Sequence, residues 1–114
     1  GIAKAIFEKY PYSNIYKTRR EHSIPGTIQI CEGERGIINL FGQYYPGSAS
    51  VSKDTKSQRI GWFKNCINEI SKIEGLKSVA FPYLIGCGLA GGDWEEYKDC
   101  IVKLSEIKPD VNVY

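Results

Sequence analysis

The run Ser78-Val79-Ala80-Phe81-Pro82-Tyr83-Leu84-Ile85-Gly86-Cys87-Gly88-Leu89-Ala90-Gly91-Gly92-Asp93-Trp94 passes from a β-rich segment, through four glycines in seven positions, into a helix. Ser78 to Pro82 reads as a buried strand. Trp94, Tyr97, Ile101 and Leu104 then recur at steps of three and four, which predicts a helix to about Ile107, ended by Pro109. Val111 to Tyr114 reads as a last short strand. Strand, helix and strand in this order form the unit that returns a chain to a parallel neighbour by a right-handed crossover.

Working outward, Ile60, Phe63, Ile67 and Ile70 have the same helical spacing, so a helix is expected from about Thr55 to Glu74, with Gly75 as its stop. Gly42 to Asp54, rich in serine and carrying Pro46 and Gly47, reads as a long loop. Thr27 to Cys31 and Ile37 to Phe41 are β-rich runs separated by Gly33 and Gly36, the pattern of a hairpin or of neighbouring strands. The second run is apolar enough to be central in a sheet. A short helix is expected from Ser13 to His22, its basic end (Lys17, Arg19, Arg20) a solvated face. Ile2, Ala3, Ile6, Phe7 and Tyr10 mark another helix that stops at Pro11.

These elements predict an α/β fold: a three-layer α/β/α domain over residues 1–114 with a mixed, mostly parallel central sheet and helices on both faces. The sheet is short for its helices, and one or two strands before Gly1 would complete it. The lack of methionine and the start at Gly1, directly in front of a helical pattern, point the same way.

The 114 residues are 42% apolar and 25% charged, the balance of a folded domain rather than a disordered chain. A formal charge of +2 is too small for neutralising a run of duplex phosphates, so no duplex nucleic acid partner is expected, whereas a small anion is allowed. Val79 to Gly92 is the longest apolar-leaning stretch; it is broken by Pro82 and glycines and too short for roughly 30 Å of hydrocarbon, so no membrane partner is expected. Cys31, Cys66, Cys87 and Cys100 form no CxxC or Cys/His pair, which predicts reduced thiols, no metal site and a cytoplasmic protein, or a nuclear one in a eukaryote.

The candidate chemistry lies in the glycine run. A glycine loop leaving the carboxyl end of a strand can turn several N–H groups toward one anion, the way phosphates are held without a cation. No Gly-Lys-Ser/Thr follows, and the glycines miss the GxGxxG spacing, so neither common nucleotide fingerprint is present. The alternative is that these glycines only make a tight turn. Asp93 and Glu96 have the spacing of a helix cap and, with Glu95, put three carboxylates at the helix start, which would push a phosphate back over the Gly86 to Gly91 amides. Capping suits Asp93 better than catalysis. His22 is the single histidine, so a histidine-based triad has nothing to build on. Cys87 reads as a small turn residue before it reads as a nucleophile. Tyr44, Tyr45 and Tyr83 could stack on a base or ribose, or simply close the core edge.

Three stretches together resemble the macro domain, the ADP-ribose-binding α/β/α module. Gly1-Ile2-Ala3-Lys4-Ala5-Ile6 is similar to the end of the family's first phosphate loop and the helix after it, Asn39-Leu40-Phe41-Gly42-Gln43 to its central strand, and Ile85 through Trp94 to its second phosphate loop. The wording is nearest the branch holding the ADP-ribosyl-glutamate hydrolases and the ADP-ribose 1″-phosphate phosphatases.

The resemblance implies that Gly1, Ile2 and Ala3 border the diphosphate on one side while Ile85, Gly86, Cys87, Gly88, Leu89, Ala90 and Gly91 line it on the other. Tyr44 or Tyr45 would lie near the distal ribose. The catalytic lysine and aspartate of the glutamate-linked hydrolases fall on Gln43 and Ala90, so no catalytic residue is assigned and Gln43 and Asp93 are the weak candidates. The expected ligand is ADP-ribose or a derivative, including an ADP-ribosylated protein, bound by a monomer with no cofactor. Hydrolysis of a group on the terminal ribose, a non-catalytic reader, and a structural phosphate-binding α/β domain are the three functions carried forward.

Overall fold

The two long helices meet as their periodicities require. The computed structural model describes residues 2–14, 24–42, 54–85 and 91–114. Its elements are α1 (Ile2–Lys9), a 3₁₀ turn (Pro11–Ser13), β1 (Ile28–Cys31), β2 (Ile37–Leu40), α2 (Lys56–Ser71), β3 (Ser78–Val79), α3 (Trp94–Ile107) and β4 (Asn112–Val113). Phe63, Ile67 and Ile70 of α2 and Tyr97, Cys100 and Leu104 of α3 form the buried core. The Phe63 and Tyr97 rings lie 4.7 Å apart, tilted by 51°, within the range where aromatic pairs attract beyond their area burial. Strand residues Ile28, Ile38, Leu40, Val79 and Val113 pack around this cluster.

Helix α2 opens with a reciprocal cap: the Thr55 hydroxyl accepts from the Gln58 N–H (3.0 Å), and the Gln58 side chain accepts from the Thr55 N–H (2.8 Å). It ends at Ser71, short of the expected Glu74. The Lys72 N–H bonds to the Glu69 and Ile70 carbonyls, a tightening of the last turn that satisfies end carbonyls without a left-handed residue. Gly75, at φ +75°, serves the separate turn that follows.

The hairpin is antiparallel, with Ile28 opposite Leu40 and Cys31 opposite Ile37. Alternation along the strands divides its residues between two faces. Ile28, Ile38 and Leu40 rest on the helical core. On the other face the Asn39 side-chain amide donates to the Ser13 carbonyl (3.0 Å) and to the Cys31 sulfur (3.5 Å), beneath the wholly buried Ser13. Tyr12, next in chain, lays its ring over the hairpin turn. Its hydroxyl donates to the Arg35 carbonyl and accepts from the Arg35 N–H (2.9 Å), and a Cβ at Gly33 would fall 2.5 Å from the ring.

Two expectations are corrected. No helix begins at Ser13: Pro11 suits the first position of a short 3₁₀ turn, Asn14 leaves it at ψ 83°, and residues 15–23 lie outside the described set. The Ser78 strand is neither five residues long nor buried. Its ladder to β4 is parallel and spans Ser78–Val79, with flanking bonds from Asn112 N–H to the Lys77 carbonyl and from Phe81 N–H to the Tyr114 carbonyl, and Ser78 and Ala80 are exposed. Among the described residues the strands form two separate two-stranded sheets, one antiparallel and one parallel. The fold is therefore a mixed helix-and-strand arrangement of small sheets around an α2–α3 core. Among the described residues no helix is long and apolar enough to cross a membrane.

Candidate functional site

The glycine run leaves β3 through a turn in which the Ile85 N–H bonds to the Pro82 carbonyl (3.2 Å). Leu84 sits inside that turn at φ +60°, a left-handed conformation that costs a residue with a Cβ roughly 1–2 kcal/mol. Ile85 turns back onto the core. Residues 86–90 lie outside the described set, and the chain is described again at Gly91, whose φ of +75° suits glycine.

The segment's two flanks touch. Tyr83, 78% exposed, sets its ring against Trp94 in an edge-to-face contact with centroids 5.4 Å apart. Chain departure and return are thus held side by side at the carboxyl end of β3 and the start of α3, where open α/β sheets place their ligands.

Asp93 caps α3. Its carboxylate accepts from the Glu95 N–H (3.1 Å), while its carbonyl receives the Glu96 and Tyr97 N–H groups (3.1 and 3.3 Å). The cap is one-sided, not the reciprocal arrangement formed by Thr55 and Gln58, and it reaches the second N–H of the helix. A carboxylate spent on its own helix is a positioning group. Glu95 and Glu96 follow in the first turn, so negative charge stands where the helix end would otherwise favour an anion.

Of the predicted ligand-binding residues, the structure brings Ile85 and Gly91 to the ends of one segment. Ile2 and Ala3 begin α1. Gly1, Gln43, Tyr44, Tyr45, Gly86, Cys87, Gly88, Leu89 and Ala90, together with His22, lie outside the described residues.

The described thiols are core groups. Burial pushes the Cys66 thiol up to about 11, against a weaker opposing hydrogen bond from the Phe41 backbone, and burial also raises Cys100. Neither offers a thiolate at neutral pH. Among the described residues no group of three or more His, Cys, Asp or Glu side chains could hold a metal ion. A groove of about 630 Å³ runs between α2 and α3, rimmed by Lys64 and Lys103 but also by Glu96, Asp99 and Glu106. That mixed rim gives a phosphate no preference for it.

Two features escaped the sequence reading. The Thr55-x-x-Gln58 cap had a legible signal, a threonine followed three residues later by glutamine. The buried pair between Arg59 Nε and Asp54 Oδ1 (2.8 Å) had only a spacing of five, which on a sequence reads as two surface charges.

No protein-family model matches the chain, and searches of curated proteins and of solved structures find no match.

Proposed function

We propose that the chain binds ADP-ribose through its glycine run, as the resemblance to macro domains implies. The observation that carries this reading is the position of the run: it leaves a strand of a parallel pair, enters the amino end of a helix, and has its two flanks joined by Tyr83 and Trp94. Amides of Gly86 to Gly91 would take the diphosphate, set back from Asp93, Glu95 and Glu96. Ile2 and Ala3, at the start of α1, would border its other side, and Tyr44 or Tyr45 the distal ribose. The three-layer α/β/α arrangement belongs to the same proposal. It is supported by the hairpin, which has the helical core on one face and the 3₁₀ segment on the other.

On this reading the protein fixes the diphosphate and orients the terminal ribose for hydrolysis of a phosphate, an acyl group or a protein side chain attached there. A non-catalytic reader of ADP-ribose is the second reading. It is favoured by Asp93, whose carboxylate is engaged by its own helix, and by Gln43 and Ala90 standing where the glutamate-linked hydrolases carry lysine and aspartate.

Calorimetric titration of ADP-ribose, with AMP and inorganic phosphate as controls, tests binding. Saturable uptake of ADP-ribose well above both controls is expected, and Gly88 or Gly91 replaced by a bulky residue abolishes it while the fold survives. Equal binding of inorganic phosphate would favour the structural phosphate-binding domain. Release from ADP-ribose 1″-phosphate, O-acetyl-ADP-ribose or ADP-ribosylated protein then separates hydrolase from reader.

A further inference from the structure

Phe81, Tyr83 and Ile85 alternate along the chain, and on a continued strand their side chains would share one face. Phe81 and Ile85 do pack against the helical core. Tyr83 does not. The turn closed by the Ile85 N–H and the Pro82 carbonyl, with Leu84 left-handed at φ +60°, takes it off that face and leaves it 78% exposed. The sequence leaves this ring two roles, stacking on a base or ribose and closing the core edge, and the exposure removes the second.

The ring is held even so. Trp94 packs against the core and meets Tyr83 edge to face, with centroids 5.4 Å apart and planes at 74°. Such a contact sets the edge of one ring on one face of the other, so at this exposure Tyr83 keeps an open face. A tyrosine has few rotatable bonds, and one already seated on a core-packed tryptophan loses little freedom when a second flat ring lies on it. An aromatic face open to water at the flank of a glycine run is a stacking platform.

We propose that Tyr83 stacks on the nucleobase of the ligand whose diphosphate the glycine run holds. This rests on the ADP-ribose reading and adds to it the side chain that takes the adenine. The base is the one flat, apolar-faced part of that ligand; its riboses and phosphates are hydroxylated or charged and suit no ring face as well. Tyr83 precedes Gly86 by three residues, a reach of at most about 10 Å, which one ribose and its phosphate ester can bridge. Trp94 acts through Tyr83 as a positioning residue. Because every base has a π-face, Tyr83 supplies affinity for a base and not the choice of adenine.

Titration with ADP-ribose, and with a diphosphate bearing a ribose at each end and no base, tests the role of the ring. The wild-type chain should bind ADP-ribose at least about tenfold more tightly than the base-free compound. Tyr83→Ala should weaken ADP-ribose by about tenfold and leave the base-free compound unchanged, whereas Tyr83→Phe should keep the wild-type difference. In NMR spectra of the wild type the Tyr83 ring protons should move upfield on adding ADP-ribose and stay in place on adding the base-free compound. Circular dichroism and the thermal midpoint, which loss of so exposed a ring should barely change, establish that the variants are folded. The stacking role is overturned alone, with ADP-ribose binding intact, by equal wild-type affinity for both compounds, by equal losses for both in Tyr83→Ala, by no loss for either, or by unmoved ring protons. Binding of neither compound by the folded wild type would overturn the ADP-ribose reading and the stacking role together.

Discussion

Helices α2 and α3 share one core and begin in opposite ways. The start of α2 is closed: Thr55 and Gln58 cap each other, and Arg59 is locked to Asp54 with both side chains almost wholly buried. The start of α3 is open, with a single carboxylate bond from Asp93, two further carboxylates in the first turn, and a left-handed glycine just before it. The difference separates a helix start fixed by its own side chains from one that is fixed once. A helix whose start is tied down by a reciprocal cap and a buried ion pair is anchored to its own side chains and to the core. One capped once, behind a left-handed glycine, has no such tie.

The contrast breaks most sharply at the buried ion pair. Asp54→Ala leaves the Arg59 guanidinium buried without its carboxylate, and should lower the free energy of unfolding in urea by about 3–5 kcal/mol. A loss below about 1 kcal/mol would show that the guanidinium readily finds solvent, and the closed description of α2 would fail.

Cys66, in the middle of α2 and fully buried, extends the contrast to pH. Its thiol ionises near 9.0 when exposed and near 11 in the folded protein. Raising the pH from 9 to 11 therefore ionises the unfolded chain first, so stability is complete below about 9 and falls across that window, by about 2–3 kcal/mol at ~1.4 kcal/mol per unit. Thermal unfolding at stepped pH should show this decline, and Cys66→Ala should reduce it, buried Cys100 keeping a remainder of the same sign. An equal slope in the variant would place the titrating group elsewhere.

The smallest effect compares the caps directly. Thr55→Ala removes one half of a reciprocal pair and should cost about 1–2 kcal/mol, whereas Asp93→Ala removes a single bond on an exposed, already acidic turn and should cost about 0.5–1 kcal/mol. Matched losses in parallel denaturation curves would erase the distinction between the two helix starts.

What the sequence carried plainly was periodicity. Ile60, Phe63, Ile67 and Ile70, and Tyr97 with Leu104, face the core because steps of three and four put them on one side of a helix, and no distant contact is needed to see it. Element ends were less legible. Gly75 looks like a helix stop, yet the last turn of α2 had already closed at Ser71 through ordinary carbonyls. Sheet assembly is least legible, because hydropathy gives each strand's burial but not its neighbour: β2 reads as central, and its second neighbour is not among the described strands. At the candidate site, the Asp93 cap is legible as an aspartate directly ahead of the helical spacing that begins at Trp94. Tyr83 reads as a ring that stacks on a base or closes the core edge, yet it is 78% exposed and meets Trp94, and a pair eleven positions apart leaves no periodic trace.

The Tyr12 ring over Gly33 ties distant parts of the chain in a way that reaches beyond this sequence. With a Cβ at position 33 only 2.5 Å from the ring, the turn accepts no side chain while that ring is in place, and the ring is in place because Arg35 holds its hydroxyl at both ends. The two sites form one inheritable unit: across descendants of this chain, a larger residue at 33 should be found only where the aromatic at 12 has been lost.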